Sequence, residues 1–184
     1  MTEHQDAIGF SRALTLAQAR AHKGAMTITA DEGERAAIAS RFDLLAVNRL
    51  DATLHLAVDG DALAITGTLT ADLVQRCVAT DAPLPAKISE AIDVRYVPAD
   101  RLEAAEAEAE VELGREDLDL IGYTAGRVDL GQMIADTLYL ALDPFPRRPD
   151  ADAFLAKQGV KSEGEAGAFG ALAALRDKLT PKSE

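Results

Sequence analysis

The segment GRVDLGQMIADTLYLALDPFPRRPD, residues 126–150, decides the fold, because it predicts an apolar helix that runs into a proline-rich connector. Asp129 precedes Gln132 by three residues, which is the spacing of a capping box, so a helix should begin near Leu130. Apolar side chains then recur at every fourth position, as is typical of a helix that faces a core: Leu130, Ile134, Leu138 and Leu142.

The connector should be extended and stiff. Three prolines between 144 and 149 each fix φ and restrict the residue before them, and the first of them should end the helix. Phe145, Arg147 and Arg148 would then be held outward on a rigid segment. On the residues alone, this is a core helix followed by a rigid connector.

The same segment resembles the closing motif of the YceD family, the large-ribosomal-RNA-subunit accumulation proteins, in its alphaproteobacterial form. The positions in register are Gly126, Val128, Asp129, Leu130, Leu140, Ala141, Leu142, Asp143, Pro144, Phe145, Pro146 and Arg147. Further matches follow the family order, so the resemblance covers nearly the whole chain: Phe10-Ser11-Arg12, Gln75-Arg76-Cys77, and Ala168-Phe169-Gly170-Ala171-Leu172 followed by Leu175.

The resemblance implies a non-enzymatic factor that promotes accumulation or maturation of large-subunit ribosomal RNA during ribosome assembly. The expected partner is a ribosomal protein or a large-subunit precursor, so that contact with the RNA is indirect. The side chains expected to bind this partner are Asp129, Asp136, Phe145, Pro146, Arg147 and Arg148. Two alternatives stay open: a small-molecule hydrolase with an unrecognised carboxylate site, and an acidic chaperone for a basic ribosomal protein.

Charge argues against direct binding of nucleic acid. The chain of 184 residues carries 19 basic and 31 acidic side chains, a net charge of −12, whereas phosphate binding requires clustered cations. Aromatic residues make up 4% and Trp is absent, which disfavours base stacking. We therefore expect no DNA partner and no tight binding to bare RNA.

No residue pattern indicates catalysis, a cofactor or a metal. His4, His22 and His55 are scattered, and the chain has no phosphate-binding loop or nucleophile elbow. Many relatives carry Cys-x-x-Cys where this chain has Val74 and Cys77, and a lone cysteine cannot form a zinc site. Cys77 should instead be a small buried side chain.

The start of the chain shows no secretory signal pattern, and no apolar run is long enough to span a membrane. We expect a cytoplasmic bacterial protein that does not associate with membranes.

Alternating apolar residues predict an antiparallel sheet in the middle of the chain. Leu54, Leu56 and Val58 lead into Asp59-Gly60, a strong hairpin signal for a type I′ turn, and alternation resumes afterwards. From residue 84 to 96 the apolar side chains occupy even positions, which predicts a strand with one wet face. The fold class should be α+β, with an antiparallel β-sheet or a partly open barrel and packed helices.

Shorter elements are expected before the hairpin. Residues 7–16 could form a first strand, an Ala-rich helix should lie near 16–22, and 26–29 reads as a strand. Asp31 and Glu34 have capping-box spacing. The pattern therefore predicts a helix over 32–46 that buries Ile38, Phe42 and Leu45.

The domain organisation should be simple. Residues 1–155 are expected to form one domain, with an acidic loop over 100–119 that carries nine carboxylates and two arginines. An edge strand remains an alternative for part of that loop. Residues 156–184 should form a flexible tail that contains a short terminal helix.

Overall fold

The structure, a computed structural model, describes residues 9–102 and 120–160. These residues divide into two compact units. The first unit comprises 9–75, 85–102 and 120–144, and the second comprises 76–84 and 145–160. The predicted single domain over 1–155 and the tail over 156–184 stay predictions, because 103–119 and 161–184 lie outside the described residues.

The sheet confirms the predicted α+β class. A two-stranded antiparallel sheet pairs β1 (Ala13–Thr15) with β7 (Arg127–Asp129). A five-stranded sheet has the order β2-β3-β4-β5-β6, which are Ala25–Thr29, Ala46–Asp59, Ala62–Arg76, Pro83–Pro98 and Leu120–Tyr123. The described part of this sheet is open and mostly antiparallel, although β6 joins β5 in parallel, with Arg95 opposite Leu120.

The predicted hairpin is confirmed, but its turn type is different. Asp59 pairs with Ala62, so the loop consists of Gly60 and Asp61 rather than Asp59 and Gly60. Gly60 has φ +59°, and Asp61 is not among the described residues with positive φ. Because only the first loop position needs positive φ, the turn is of the type II′ kind rather than type I′.

Helix α1 (Leu16–Ala21) lies where the sequence predicts it, and α2 (Glu32–Arg41) begins as predicted. Asp31 Oδ1 accepts a hydrogen bond from Glu34 N, and Glu34 Oε2 accepts one from Asp31 N, both at 2.9 Å. The expected extension of this helix to residue 46 is wrong. Asp43 has φ +52°, which ends the helical path before the chain enters β3, and Leu45 is 40% exposed instead of buried.

The helix predicted after Asp129 is α3 (Leu130–Leu140), and it contributes to the same apolar core as the sheet. The core side chains of this helix are Leu130, Met133, Ile134, Ala135 and Leu138, all buried. The predicted capping box is only half formed: Asp129 accepts from the backbone, but Gln132 Nε2 donates to Asp136 Oδ1 at 2.8 Å. Gln132 therefore supports the second turn of the helix instead of the cap.

The second unit contains a tight turn and a short helix. Cys77 N donates to Ala82 O, and Asp81 N donates to Cys77 O, each at 2.9 Å, so the chain reverses between β4 and β5. The helix α4 (Ala151–Lys157) was not predicted from the sequence. None of the helices in the described part of the chain is long and apolar enough to cross a membrane.

Candidate functional site

Asp129 holds the start of α3 to the segment before β1. Ser11 Oγ donates to Oδ2, and Arg12 N donates to Oδ1 at 2.8 Å. The helix adds Gly131 N at 2.9 Å and Gln132 N at 3.2 Å, both to Oδ1. Burial would raise the pKa of Asp129, but these donors outweigh it and lower the pKa. The Asp129 carboxylate thus accepts hydrogen bonds from its own chain, and these bonds hold the start of α3 to the segment before β1.

Arg12 fastens the same segment to α2. Its Nη1 and Nη2 contact Glu34 Oε1 and Oε2 at 2.6 and 2.9 Å, and its guanidinium lies 5.1 Å from the centroid of the Phe10 ring. Hydrogen bonding to the Arg12 guanidinium lowers the pKa of Glu34. Phe10-Ser11-Arg12 is therefore a clasp between α2 and α3. The sequence around this tripeptide contains no local signal for the role, because Asp129 lies more than a hundred residues away.

Asp136 is exposed on α3, at an open depression that we call the α3 face. Its lining residues are Arg41, Phe42, Asp136 and Tyr139. The Phe42 and Tyr139 rings pack at 5.0 Å between centroids with a 45° tilt. Partial burial raises the pKa of Asp136, although the Gln132 hydrogen bond and the charge of Arg41 oppose that shift. The α3 face thus combines an acid, a cation and two aromatic side chains.

Tyr96 of β5 lies buried near this helix. Burial raises the pKa of Tyr96 to about 12, and the negative charges of Asp136 and Asp129 add to the effect. Its hydroxyl is therefore protonated at neutral pH, as that of an ordinary tyrosine is. In residues 9–102 and 120–160, no three His, Cys, Asp or Glu side chains form a group that could hold a metal ion.

The prediction that Phe145 is held outward agrees with its exposure in the second unit. The Phe145 side chain is 74% exposed, whereas Pro146 is buried and its carbonyl accepts from Val78 N at 2.9 Å. Arg147 Nη2 contacts Asp152 Oδ1 at 2.7 Å, and Arg148 Nη2 contacts Asp150 Oδ2 at 2.9 Å. Both arginines are partly exposed, and each has an acidic neighbour that reduces its net positive field.

Cys77 helps to position Arg148. The thiol is 1% exposed, as the sequence predicts, and its Sγ accepts from Arg148 N at 3.4 Å. Hydrogen bonds from the Thr80 side chain and from Arg148 N lower the pKa of Cys77 to about 7. Because the sulfur is shielded from solvent, its role in the described structure is that of a buried hydrogen-bond acceptor. No local pattern predicts this contact, because the two residues are 71 positions apart.

Gln75, two positions before Cys77, is a buried polar residue with a hydrogen-bond partner. Its side chain is buried in the first unit, and Nε2 donates to the carbonyl of Asp143 at 2.9 Å. This contact ties the end of β4 to the residue before Pro144. The alternation of β4 is a signal for such a role, since a glutamine on the inward parity of a strand needs a hydrogen-bond partner.

The six predicted partner-binding residues fall into two groups. Asp129 and Asp136 belong to the first unit, where Asp129 caps the start of α3 and Asp136 lies within that helix. The other four, Phe145, Pro146, Arg147 and Arg148, belong to the second unit. Among them, Asp136, Phe145 and the two arginines present side-chain surface to solvent, whereas Pro146 is buried.

Comparison with known proteins gives one family. A family model described as large ribosomal RNA subunit accumulation protein YceD matches residues 65–176, which is more than half of the chain. The match includes Gln75-Arg76-Cys77, Asp129 and Phe145, whereas the Phe10-Ser11-Arg12 clasp precedes it. No curated protein and no solved structure matches the chain.

Proposed function

The chain belongs to the YceD family of large ribosomal RNA subunit accumulation proteins, and we propose that it acts as a non-enzymatic factor in ribosome assembly. It promotes accumulation or maturation of large-subunit ribosomal RNA by contacting a ribosomal protein or a precursor particle in the cytoplasm. The RNA is reached through that partner.

Exposure of Phe145 carries this proposal. A large aromatic side chain that is 74% exposed lies within the family-matched region, directly between two prolines. Burying such a ring in a partner would contribute substantially to affinity, and aromatic and arginine side chains dominate many protein interfaces. Arg147 and Arg148 beside it would orient the partner by exchanging their present acidic contacts for new ones.

Asp136 supports a second contact on the α3 face. Its side chain is exposed beside the depression, and partial burial raises its pKa, so the fold disfavours the ionised carboxylate. The depression beside it is open, and we infer that it serves contact rather than enclosure of a small substrate. This favours the assembly factor over the hydrolase alternative.

Replacing Phe145→Ala together with Arg147→Glu is expected to abolish co-purification with large-subunit precursors while leaving the fold intact. Phe145 is largely exposed and Arg147 is partly exposed, so the free energy of unfolding should change by less than about 1 kcal/mol. The measurements are affinity purification from growing cells, analysis of the captured RNA and proteins, and thermal unfolding of the purified variant.

Phe154→Ala with Lys157→Glu is a matched control in the same unit. Phe154 is 42% exposed on α4 and lies outside the proline-rich motif, so this variant should retain the precursors. Retention of precursors by the Phe145 variant, or unfolding of that variant, would contradict the proposed interface.

The wild-type protein should not bind bare large-subunit RNA tightly. Its net charge is −12, and the two arginines of the motif already contact Asp152 and Asp150. Few cations are therefore available to replace the counterions of the phosphates. Fluorescence anisotropy with labelled RNA fragments at about 0.15 M salt measures this directly. Nanomolar binding of naked RNA would show that the electrostatic argument is wrong.

A further inference from the structure

The backbone of 145–149 is anchored within the second unit by hydrogen bonds. Pro146 O accepts one from Val78 N at 2.9 Å. Two residues later, Arg148 N donates to Cys77 Sγ at 3.4 Å, and this sulfur is buried. Two residues of the segment are prolines, whose φ is fixed. A partner that binds here therefore meets side chains on a backbone that is already in place, which lowers the entropy that binding costs.

Phe145 and Arg147 present an apolar and a cationic side chain to solvent at short spacing. Pro146 between them is buried, whereas Phe145 is 74% exposed and the Arg147 side chain is 47% exposed. Residues two apart have Cα atoms no more than about 7 Å from each other, so one partner segment can reach both side chains. Val78, whose amide binds Pro146 O, is 59% exposed and adds a second apolar side chain.

The Arg147 guanidinium has donors left for a further acceptor. Its Nη2 contacts Asp152 Oδ1 at 2.7 Å, and among the described residues this is the one hydrogen-bond partner of the side chain. A guanidinium carries five N–H donors, and its planar fork matches the two oxygens of a carboxylate. The Asp152 side chain is itself 88% exposed, and exposed ion pairs contribute little to stability. An incoming carboxylate can therefore bind Arg147 at little cost to the fold.

The charge of the second unit favours an acidic occupant. Its described residues include four cations and three carboxylates, whereas those of the first unit include ten cations and fourteen carboxylates. The net charge is thus +1 in the second unit and −4 in the first. At about 0.15 M salt, exposed charges more than about 8 Å apart are largely screened, so the charges close to the segment decide what binds. The four cations are Arg76, Arg147, Arg148 and Lys157.

We propose that Phe145 and Arg147 bind a segment of a partner protein in which an apolar side chain and a carboxylate lie two residues apart. The apolar side chain would cover the Phe145 ring, and the carboxylate would accept two N–H bonds from Arg147. A basic segment would be repelled by Arg147 and Arg148. The proposal rests on the proposed function, because it names the chemistry of the partner that binds at the Phe145 site.

The probe is a labelled peptide of about ten residues, the length of a long strand, in which two Glu alternate with Leu among Ser and Gly. A companion peptide carries Lys in place of Glu. The full-length wild-type chain should bind the Glu peptide about tenfold more tightly than the Lys peptide, with NMR shifts at 145–149. Arg147→Glu should reverse this preference, a gain that loss of folding cannot produce. Phe145→Ala should weaken binding of the Glu peptide.

Lys157→Glu is the matched control, because it makes the same change in net charge on α4 of the same unit. This variant should keep the preference for the Glu peptide. Equal binding of the two peptides by the wild type, or reversal of the preference by Lys157→Glu, would overturn the proposal. Displacement of the Glu peptide by an equal concentration of a single-stranded RNA of about ten nucleotides would also overturn it, since phosphates would then be the preferred anions.

The peptide assay and the capture of precursors from cells can fail separately. If the wild type prefers the Glu peptide but captures no large-subunit precursor, the proposed function is wrong and the chemistry of the site stands. If precursors are captured in a manner that depends on Phe145 but the wild type shows no preference between the peptides, the proposed function stands and the acidic partner segment is wrong.

Discussion

Gly131→Ala is expected to destabilise the protein by about 4 kcal/mol or more, which places it among the most damaging single substitutions. A Cβ at this position would lie 2.5 Å from Phe10 O, 2.9 Å from Phe10 C and 3.0 Å from Ser11 Cα. All three are backbone atoms of the clasp, so no flexible side chain can move aside. Urea denaturation followed by circular dichroism measures the loss.

Gly33→Ala is the matched control, because Gly33 also lies in the first turn of a helix. The nearest atom to its added Cβ is Asp31 Oδ1 at 3.5 Å, an ordinary contact. Alanine has a higher helix propensity than glycine, so this variant should be neutral or more stable by up to about 1 kcal/mol. A Gly131→Ala protein as stable as the control would show that α3 does not pack closely on the Phe10 backbone.

Asp129→Ala should cost about 3 kcal/mol. The substitution removes the N-cap of α3, which by itself typically contributes about 1 kcal/mol. It also leaves Ser11 Oγ and the amides of Arg12, Gly131 and Gln132 without their acceptor. The free energy of unfolding of the purified variant is the measurement, compared at pH 7 with that of the wild type.

Asp129→Asn separates the charge from the geometry, since the amide keeps one oxygen that can cap the helix. Its cost at pH 7 should be about 1 kcal/mol. The folded protein lowers the pKa of Asp129, so the ionised carboxylate stabilises the fold above its unfolded pKa near 4. That contribution is lost as the pH falls through the folded pKa, so the difference in free energy of unfolding between the wild type and the Asn variant should narrow there. A difference that widens in acid would contradict the lowered pKa of Asp129.

Local sequence determined most of the secondary structure. The alternation through 54–69 and 84–96 predicted the strands β3, β4 and β5, and the capping residues Asp31 and Asp129 predicted where α2 and α3 begin. Side-chain periodicity and capping depend on backbone geometry within one or two turns. A single sequence therefore contains enough information for these features.

The exposure pattern at the candidate site was predicted only in part. Phe145 is exposed as expected after Pro144, because proline fixes the local direction of the chain. The acidic neighbours of Arg147 and Arg148 were missed, although both lie within five residues of their partners. The end of α2 was also misjudged, since the apolar spacing up to Leu45 continued past the point where the chain turns at Asp43.

The tertiary structure alone decided the clasp. Ser11 and Asp129 are 118 positions apart, and neither residue carries a local signal for the other. The same holds for Gln75 with Asp143 and for the parallel pairing of β5 with β6. Such contacts are fixed only when the sheet and α3 bury a shared core and bring distant segments within hydrogen-bond distance. Periodicity determined which elements form, and packing determined which of their polar groups meet.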